Sequence, residues 1–404
     1  MNALGSDKQI EKNMRDFISE ICETIGPRKS CSENEAQLAL FFREKIKEYC
    51  DEVEIDNFIV HPGAYKAAFR IPMILYLLSL IFYWYYALFS LILTLLSVLI
   101  LFGEMSLAKE IIDFMFLKNQ SQNVIGKIRP ENHPSEFIII GSHLDSSCEF
   151  PLMRMFKYGF IVIIAINLFL TGILLIILLI KNILIVIKLE ALFLNIEIIF
   201  FWAFLILIPT VIIQLFFIIS NHPVIGANDN LSGMAVCYEI VKNLSLPENK
   251  LKNVEVWICA FGCEEIGSKG SRNFVKKYIQ DLKNAKVINL DMLGNRNAPL
   301  LVTTSEIFGF VKTDKEMNEL ILNFAEKLKI KIKPKSNMAF TDSLSFCRNH
   351  LSATSIITLP LSSKEFYYHT KDDVIENMSF ENLINTLNLC NHIIKNLDNK
   401  PLKC

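Results

Sequence analysis

The stretch FGCEEIGSKGS, Phe261 to Ser271, decides how the rest of the chain is read. It follows a strand-like run, VEVWICAF (254–261), and leads into a helical pattern, SRNFVKKYIQDL (271–282). Glu264 and Glu265 therefore stand side by side at a strand-to-helix turn, with no Lys or Arg next to them in sequence. Neighbouring carboxylates repel each other unless positive charge sits close by. A bound cation would supply that charge, and its other ligands must then come from distant parts of the chain.

Working outward, the same arrangement recurs. The apolar run EFIIIG, of the kind found in buried parallel strands, ends in GSHLDSS with His143 and Asp145. GANDNLSG places Asp229 in a turn before a helix, AKVINLD (285–291) ends on Asp291, and the strand-like ATSIITLPL is followed by FYYHTKDD with His369. Helical periodicity is expected at 8–24, with Ile10, Met14, Phe17, Ile18 and Ile21 on one face, and at about 315–328. Ser32 and Glu35 form a capping-box pattern ahead of AQLALFFREKIKEY, and VEIDNFIV (53–60) alternates as a strand does. Strands alternating with helices predict an α/β fold, a mostly parallel doubly wound sheet with helices on both faces. Ligands of such a sheet gather beyond the carboxyl ends of its strands, so these residues would converge there. Two histidines and several carboxylates suit zinc or another divalent ion with nitrogen and oxygen ligands.

Composition adds a second theme. Hydrophobic residues make up 52% of the 404, and the mean hydropathy of +0.35 is high for a soluble protein. The excess is concentrated. No charged residue occurs from Ile71 to Phe102, from Tyr158 to Ile180, or from Ile198 to Asn221. Each of the last two runs can cross a bilayer as one helix, since a crossing takes about 20 residues. The first is read as a hairpin turning near Tyr83–Tyr86. The opening MNALGSDKQIEKNMRDF has no apolar core, so no cleavable secretory signal is expected. A net charge of −1 gives no electrostatic reason to expect a nucleic acid partner. The ten cysteines form no CxxC pair, and free thiols in a reducing compartment are expected.

The segments GSHLDSS, GANDNLSG, FGCEEIGSKGS, INLDMLG and YYHTKDD, with IGPR near the N-terminus, resemble metallopeptidase family twenty-eight, the co-catalytic zinc peptidases. The resemblance implies two zinc ions and a peptide substrate. It implies His143 and Asp291 as ligands of one metal, Glu265 and His369 as ligands of the other, and Asp229 as the bridging carboxylate. By the same resemblance Glu264 is the general base, Asp145 orients His143, and Tyr368 steadies the tetrahedral intermediate. Asp342 in FTDSLSF is similar to a Ser-Asp segment near the substrate pocket.

The hydrophobic runs interrupt this pattern. The expected division is a peptidase domain of residues 1–65, 119–153 and 222–404, with a first transmembrane insert at 66–118 and a second at 154–221. The second insert separates His143 from Asp229, which must share one side of the membrane. An even number of crossings is therefore required, and about four are expected in all. Lys66, Arg70, Lys109, Lys118, Arg154 and Lys157 flank the inserts on the peptidase side, against Lys181 and Lys188 at the tips. Positive-inside then puts the peptidase domain in the cytoplasm. The expected function is a membrane-anchored aminopeptidase. The alternatives are a carboxypeptidase or dipeptidase, with Arg272 or Arg348 holding a substrate carboxylate, a glutaminyl cyclase, and a non-catalytic binding module.

Overall fold

The computed structural model describes residues 3–106, 110–360, 362 and 365–399. The chain divides into two compact units, one of residues 1–60, 119–148 and 222–404, the other of residues 61–118 and 149–221.

The first unit is built on a sheet. Its strands are β1 (Glu52–Val60), β2 (Asn119–Ile128), β3 (Glu136–His143), β4 (Val254–Phe261), β5 (Ala285–Asp291), β6 (Leu300–Glu306), β7 (Val311–Lys312), β8 (Ile332–Ser336) and β9 (Ser352–Thr358). They lie in the order β1-β2-β4-β3-β5-β9-β6-β7, with β8 beside β6. Parallel pairing joins β4, β3, β5 and β9 in the middle. The flanks are antiparallel, within the mostly parallel sheet expected: β1, β2 and β4 pair antiparallel, as do β9, β6 and β7.

Side chains alternate across the central strands, and both faces are covered. Ile138, Ile140, Val256 and Ile258 enter a core shared with Met14, Ile18, Leu38, Phe42, Met234, Ile240 and Leu387. These come from the helices Ala3–Thr24, Glu33–Ile46, Leu231–Leu244 and Glu381–Asp398. Ile139, Trp257, Cys259 and Phe261 point the other way, against Phe274 and Val275 of Lys269–Tyr278 and Phe346 of Ser343–Cys347. This period-two division makes the sheet the middle of three layers. Because β3, β4, β5 and β9 run parallel, their carboxyl ends share one edge.

The second unit is helical. Pro62–Phe82 and Ala87–Leu101 form the first pair, with the turn at residues 83–86. Gly159–Val186 is followed by Leu194–Ile206 and Ile208–Phe217, interrupted at Leu207 where Pro209 opens the next helix. Among the described residues four segments are long and apolar enough to cross a membrane. In the first pair Ser79 Oγ lies 2.7 Å from both Ser90 Oγ and Thr94 Oγ1, so buried hydroxyls bond helix to helix.

One expectation changes here. Lys181 is expected at a tip between two crossings, yet it and Glu197 lie within helices and are buried. Lys181 Nζ pairs with Glu197 Oε1, and its charge sits 4.3 Å from the Tyr83 ring and 4.4 Å from that of Trp84. The helix runs on to Val186 because this charge is neutralised inside the bundle rather than by water.

Candidate metal centre

Four strand ends and two turns build the site. β3 ends on His143, β5 ends on Asp291, and Glu264 and Glu265 follow β4 within four residues of Phe261. Asp229 lies in the turn before the helix Leu231–Leu244, where Asn230 is the N-cap and accepts the Gly233 N–H. His369 comes from the loop after β9.

The side chains meet. His143 Nε2 is 3.1 Å from Asp229 Oδ1 and 3.7 Å from Asp291 Oδ1. His369 Nε2 is 3.2 Å from Asp229 Oδ2 and 2.9 Å from Glu265 Oε2. Asp229 thus turns one oxygen to each histidine, between an Asp291 side and a Glu265 side. Glu264 Oε2 lies 4.0 Å from His143 Nε2. All six are buried.

Asp145 lies against His143 as expected of an orienting residue, and does more. The His143 Nδ1 is 3.0 Å from the backbone carbonyl of Asp145 and 3.5 Å from its carboxylate. The carboxylate also accepts the N–H groups of Glu264 (2.9 Å) and Glu265 (3.2 Å) and the hydroxyl of Ser30 (2.6 Å). It fixes the glutamate turn, while its main chain orients the imidazole. Tyr368 stacks on His369, ring centroids 3.7 Å apart.

The electrostatics are those of crowded anions. Burial, then the nearby charges of Asp342, Asp291 and Glu265, hold the Glu264 carboxyl well above the usual range against the pull of His143. Burial and Asp229 raise Glu265 to about 7. Burial also pushes Asp229 up, but the two histidines outweigh it and hold it well below the usual range. Burial pushes His143 and His369 down, but the carboxylates around them win, leaving His143 well above its usual value and His369 at about 10.

The donor set fits a pair of divalent ions. It offers two imidazoles, two terminal carboxylates and one carboxylate with an oxygen for each side. Among the described residues no donor reaches the buried Glu265 Oε1 or Asp291 Oδ1. Buried carboxylate oxygens lacking hydrogen-bond donors are costly unless a cation takes that place.

Several contributors escaped the sequence reading. Arg28, fully buried, donates to the carbonyls of Gly26, Leu144, Ile225 and Gly226, lacing the N-terminal turn to the loops bearing Asp145 and Asp229. IGPR was noted, but nothing local shows where an arginine's five donors will go. Asp373 accepts the N–H groups of Asn228 and Asp229, and burial raises it to about 7. Glu35, assigned to a capping box, does donate its backbone N–H to Ser32 Oγ, but its carboxylate accepts from Cys31 N, Cys263 N and Ser121 Oγ. Asp342, which the sequence does single out, is buried and raised to about 7 by burial.

Beside the centre opens a cleft. Asp229, Glu264 and Asp291 form its acidic end, and Met292, Phe340, Ile357, Leu359, Phe366 and Tyr368 are among its walls. Among the described residues no Lys or Arg lines it. Arg272 and Arg348, considered as carboxylate holders, lie outside its lining.

Residues 213–394 match the family model described as Peptidase family M28. Over 173 residues the chain is 32% identical to a probable leucine aminopeptidase of Arthroderma benhamiae, covering 39% of this chain and 43% of that protein. It is 31% identical over 169 residues to aminopeptidase YwaD of Bacillus subtilis, covering 39% and 34%. The chain thus spans less than half the length of these curated relatives. Among solved structures, BSAP, a zinc aminopeptidase from Bacillus subtilis, superposes with a TM-score of 0.57 at 16% identity, covering 96% of this chain and 94% of that one. At that identity the likeness is one of fold. His143 and Asp145 precede the M28 match, and the sheet carries them to it.

Proposed function

We propose that this chain is a membrane-anchored, zinc-dependent aminopeptidase with two metal ions. The observation that carries the reading is Asp229, which offers one oxygen to the His143–Asp291 side and one to the His369–Glu265 side. His143, Asp229 and Asp291 would hold one ion, and Asp229, Glu265 and His369 the other. Bound there, the ions would supply Lewis acidity, making a water nucleophilic at neutral pH and polarising the scissile carbonyl.

The chain's own groups do the rest. Glu264 takes the proton of the attacking water and returns it to the leaving amine. Asp145 keeps Glu264 and Glu265 aimed through their N–H groups. Tyr368, in the cleft wall, donates its phenol to the developing oxyanion. The acidic end attracts a free α-ammonium group, and the apolar walls suit an apolar N-terminal side chain, in keeping with the fungal relative's name. A carboxypeptidase would want a cation in the cleft, and the described lining has none. A single-metal cyclase would leave His143 and Asp291 without a task. A binding module has no need of the complete ligand set.

The four apolar segments anchor the chain. Parity of the crossings and the flanking Lys and Arg residues put the peptidase unit on the cytoplasmic side.

The test is metal analysis of detergent-purified protein beside a panel of free and N-acetylated peptides. Two zinc equivalents and cleavage of free N-termini only are expected. Glu264→Gln should keep the metal and lower kcat by on the order of 10²–10⁴. Cleavage of acetylated peptides from their C-termini, or full activity in Glu264→Gln, would defeat the reading.

A further inference from the structure

Two thiols lie against the glutamate turn and have no part in the proposed chemistry. Cys31 Sγ and Cys263 Sγ are 3.4 Å apart. Cys263 is fully buried and directly precedes Glu264, while Cys31 is half-buried in the turn before the helix Glu33–Ile46. Their backbones are held by one group. Glu35 Oε2 accepts the Cys31 N–H at 2.8 Å, and Glu35 Oε1 accepts the Cys263 N–H at 2.9 Å. Both residues have left-handed backbones, φ 61° and 56°. The sulfurs are therefore brought together by a fixed frame, although the cysteines are 232 positions apart.

We propose that Cys31 and Cys263 are a reversible oxidation site, forming a disulfide on exposure to a small-molecule disulfide such as oxidised glutathione. The accessible Cys31 sulfur, as thiolate, attacks one sulfur of the oxidant and expels a glutathione thiol. The Cys263 sulfur, having lost its proton, then attacks the Cys31 sulfur of the mixed disulfide and expels the second. The protein gives up two protons and two electrons, and the oxidant becomes two thiols. The sulfurs need to close to about 2.05 Å, a small movement from contact. The same three residues do not make a good metal site, because the Glu35 oxygens already accept two N–H groups and the Ser121 hydroxyl. The bond ties the turn bearing Glu264 and Glu265 to the N-terminal segment and closes a long loop, which restricts the unfolded chain.

The full chain, purified in detergent and reduced, is incubated with oxidised glutathione, alkylated under denaturing conditions, digested and analysed by mass spectrometry. A linked peptide pair containing Cys31 and Cys263 is expected. Two thiols should escape alkylation, and Tm should rise by roughly 5 °C, all reversed by dithiothreitol. Cys31→Ser should abolish the linkage and leave Cys263 unmodified. Cys263→Ser should leave glutathione attached to Cys31. Full alkylation of both cysteines in the wild type, a glutathione adduct on Cys31 that never resolves, or linkage without a rise in Tm overturns the proposal. None of these readouts depends on peptidase activity, so the outcome is separable from the metal reading.

Discussion

Both units of this molecule bury charge, and they balance it in opposite ways. In the helical unit Lys181 meets Glu197 one to one, with two aromatic faces on the ammonium. At the rim of the sheet Asp145, Asp229, Glu264, Glu265 and Asp291 are set against two imidazoles and a buried Arg28 whose guanidinium donates to main-chain carbonyls. A closed pair holds a structure together and asks for nothing more. An anionic excess at comparable burial is unstable as it stands and marks a place for cations.

That contrast can be broken from either side. The largest effect is expected at the rim. Asp229→Ala removes the carboxylate that faces both histidines, and should lose metal from both sides and at least about 10³-fold in kcat/KM. Metal analysis that still finds two equivalents would detach Asp229 from the centre. Next comes the helical pair. Lys181→Ala leaves Glu197 buried without its partner and should cost about 3–5 kcal/mol, read by thermal unfolding in micelles. The double replacement Lys181→Met with Glu197→Leu should recover most of that loss, because no charge is then left stranded. If the double variant is as unstable as the single one, the pair has a task beyond neutrality.

A third test uses pH. Glu306, at the end of β6, accepts from Asn337 Nδ2, Thr341 Oγ1 and Ser343 Oγ, and burial raises it from 4.5 to about 7. Between those values the folded chain binds the proton and the unfolded chain does not. Stability therefore falls as pH rises through that window, by roughly 3 kcal/mol from this group, and levels off above it. Glu306→Gln should flatten that slope in metal-stripped protein, and an unchanged slope would assign it to other carboxyls. The smallest effect is Ser79→Ala in the helical hairpin, worth about 1 kcal/mol or less through its two hydroxyl partners.

Much of this was legible from residues alone, for definite reasons. Ala285–Asp291 is a strand with the bounds its pattern suggests, because a short segment centred on Val287, Ile288 and Leu290 and followed by a turn has few other solutions. The hairpin turn falls in the YWYY cluster at residues 83–86, where apolar length had to be divided. The antiparallel flanks were not legible, since a strand's own residues do not say which way its neighbour runs. Nor was the end of the helix Gly159–Val186, because a charge reads as a boundary until its partner is known.

By itself the sequence determined the kinds of element, their order, the placing of His143, Glu264, Glu265 and Asp291 at or just beyond strand ends, and the position of the long apolar runs. These follow from local periodicity and chain continuity. Only the tertiary structure decided that Asp229 divides its oxygens between two histidines, that Asp145 serves the glutamate turn, and that Glu35 frames two distant thiols. Those are distances between atoms far apart in the chain, set by strand order and side-chain direction, which periodicity does not encode.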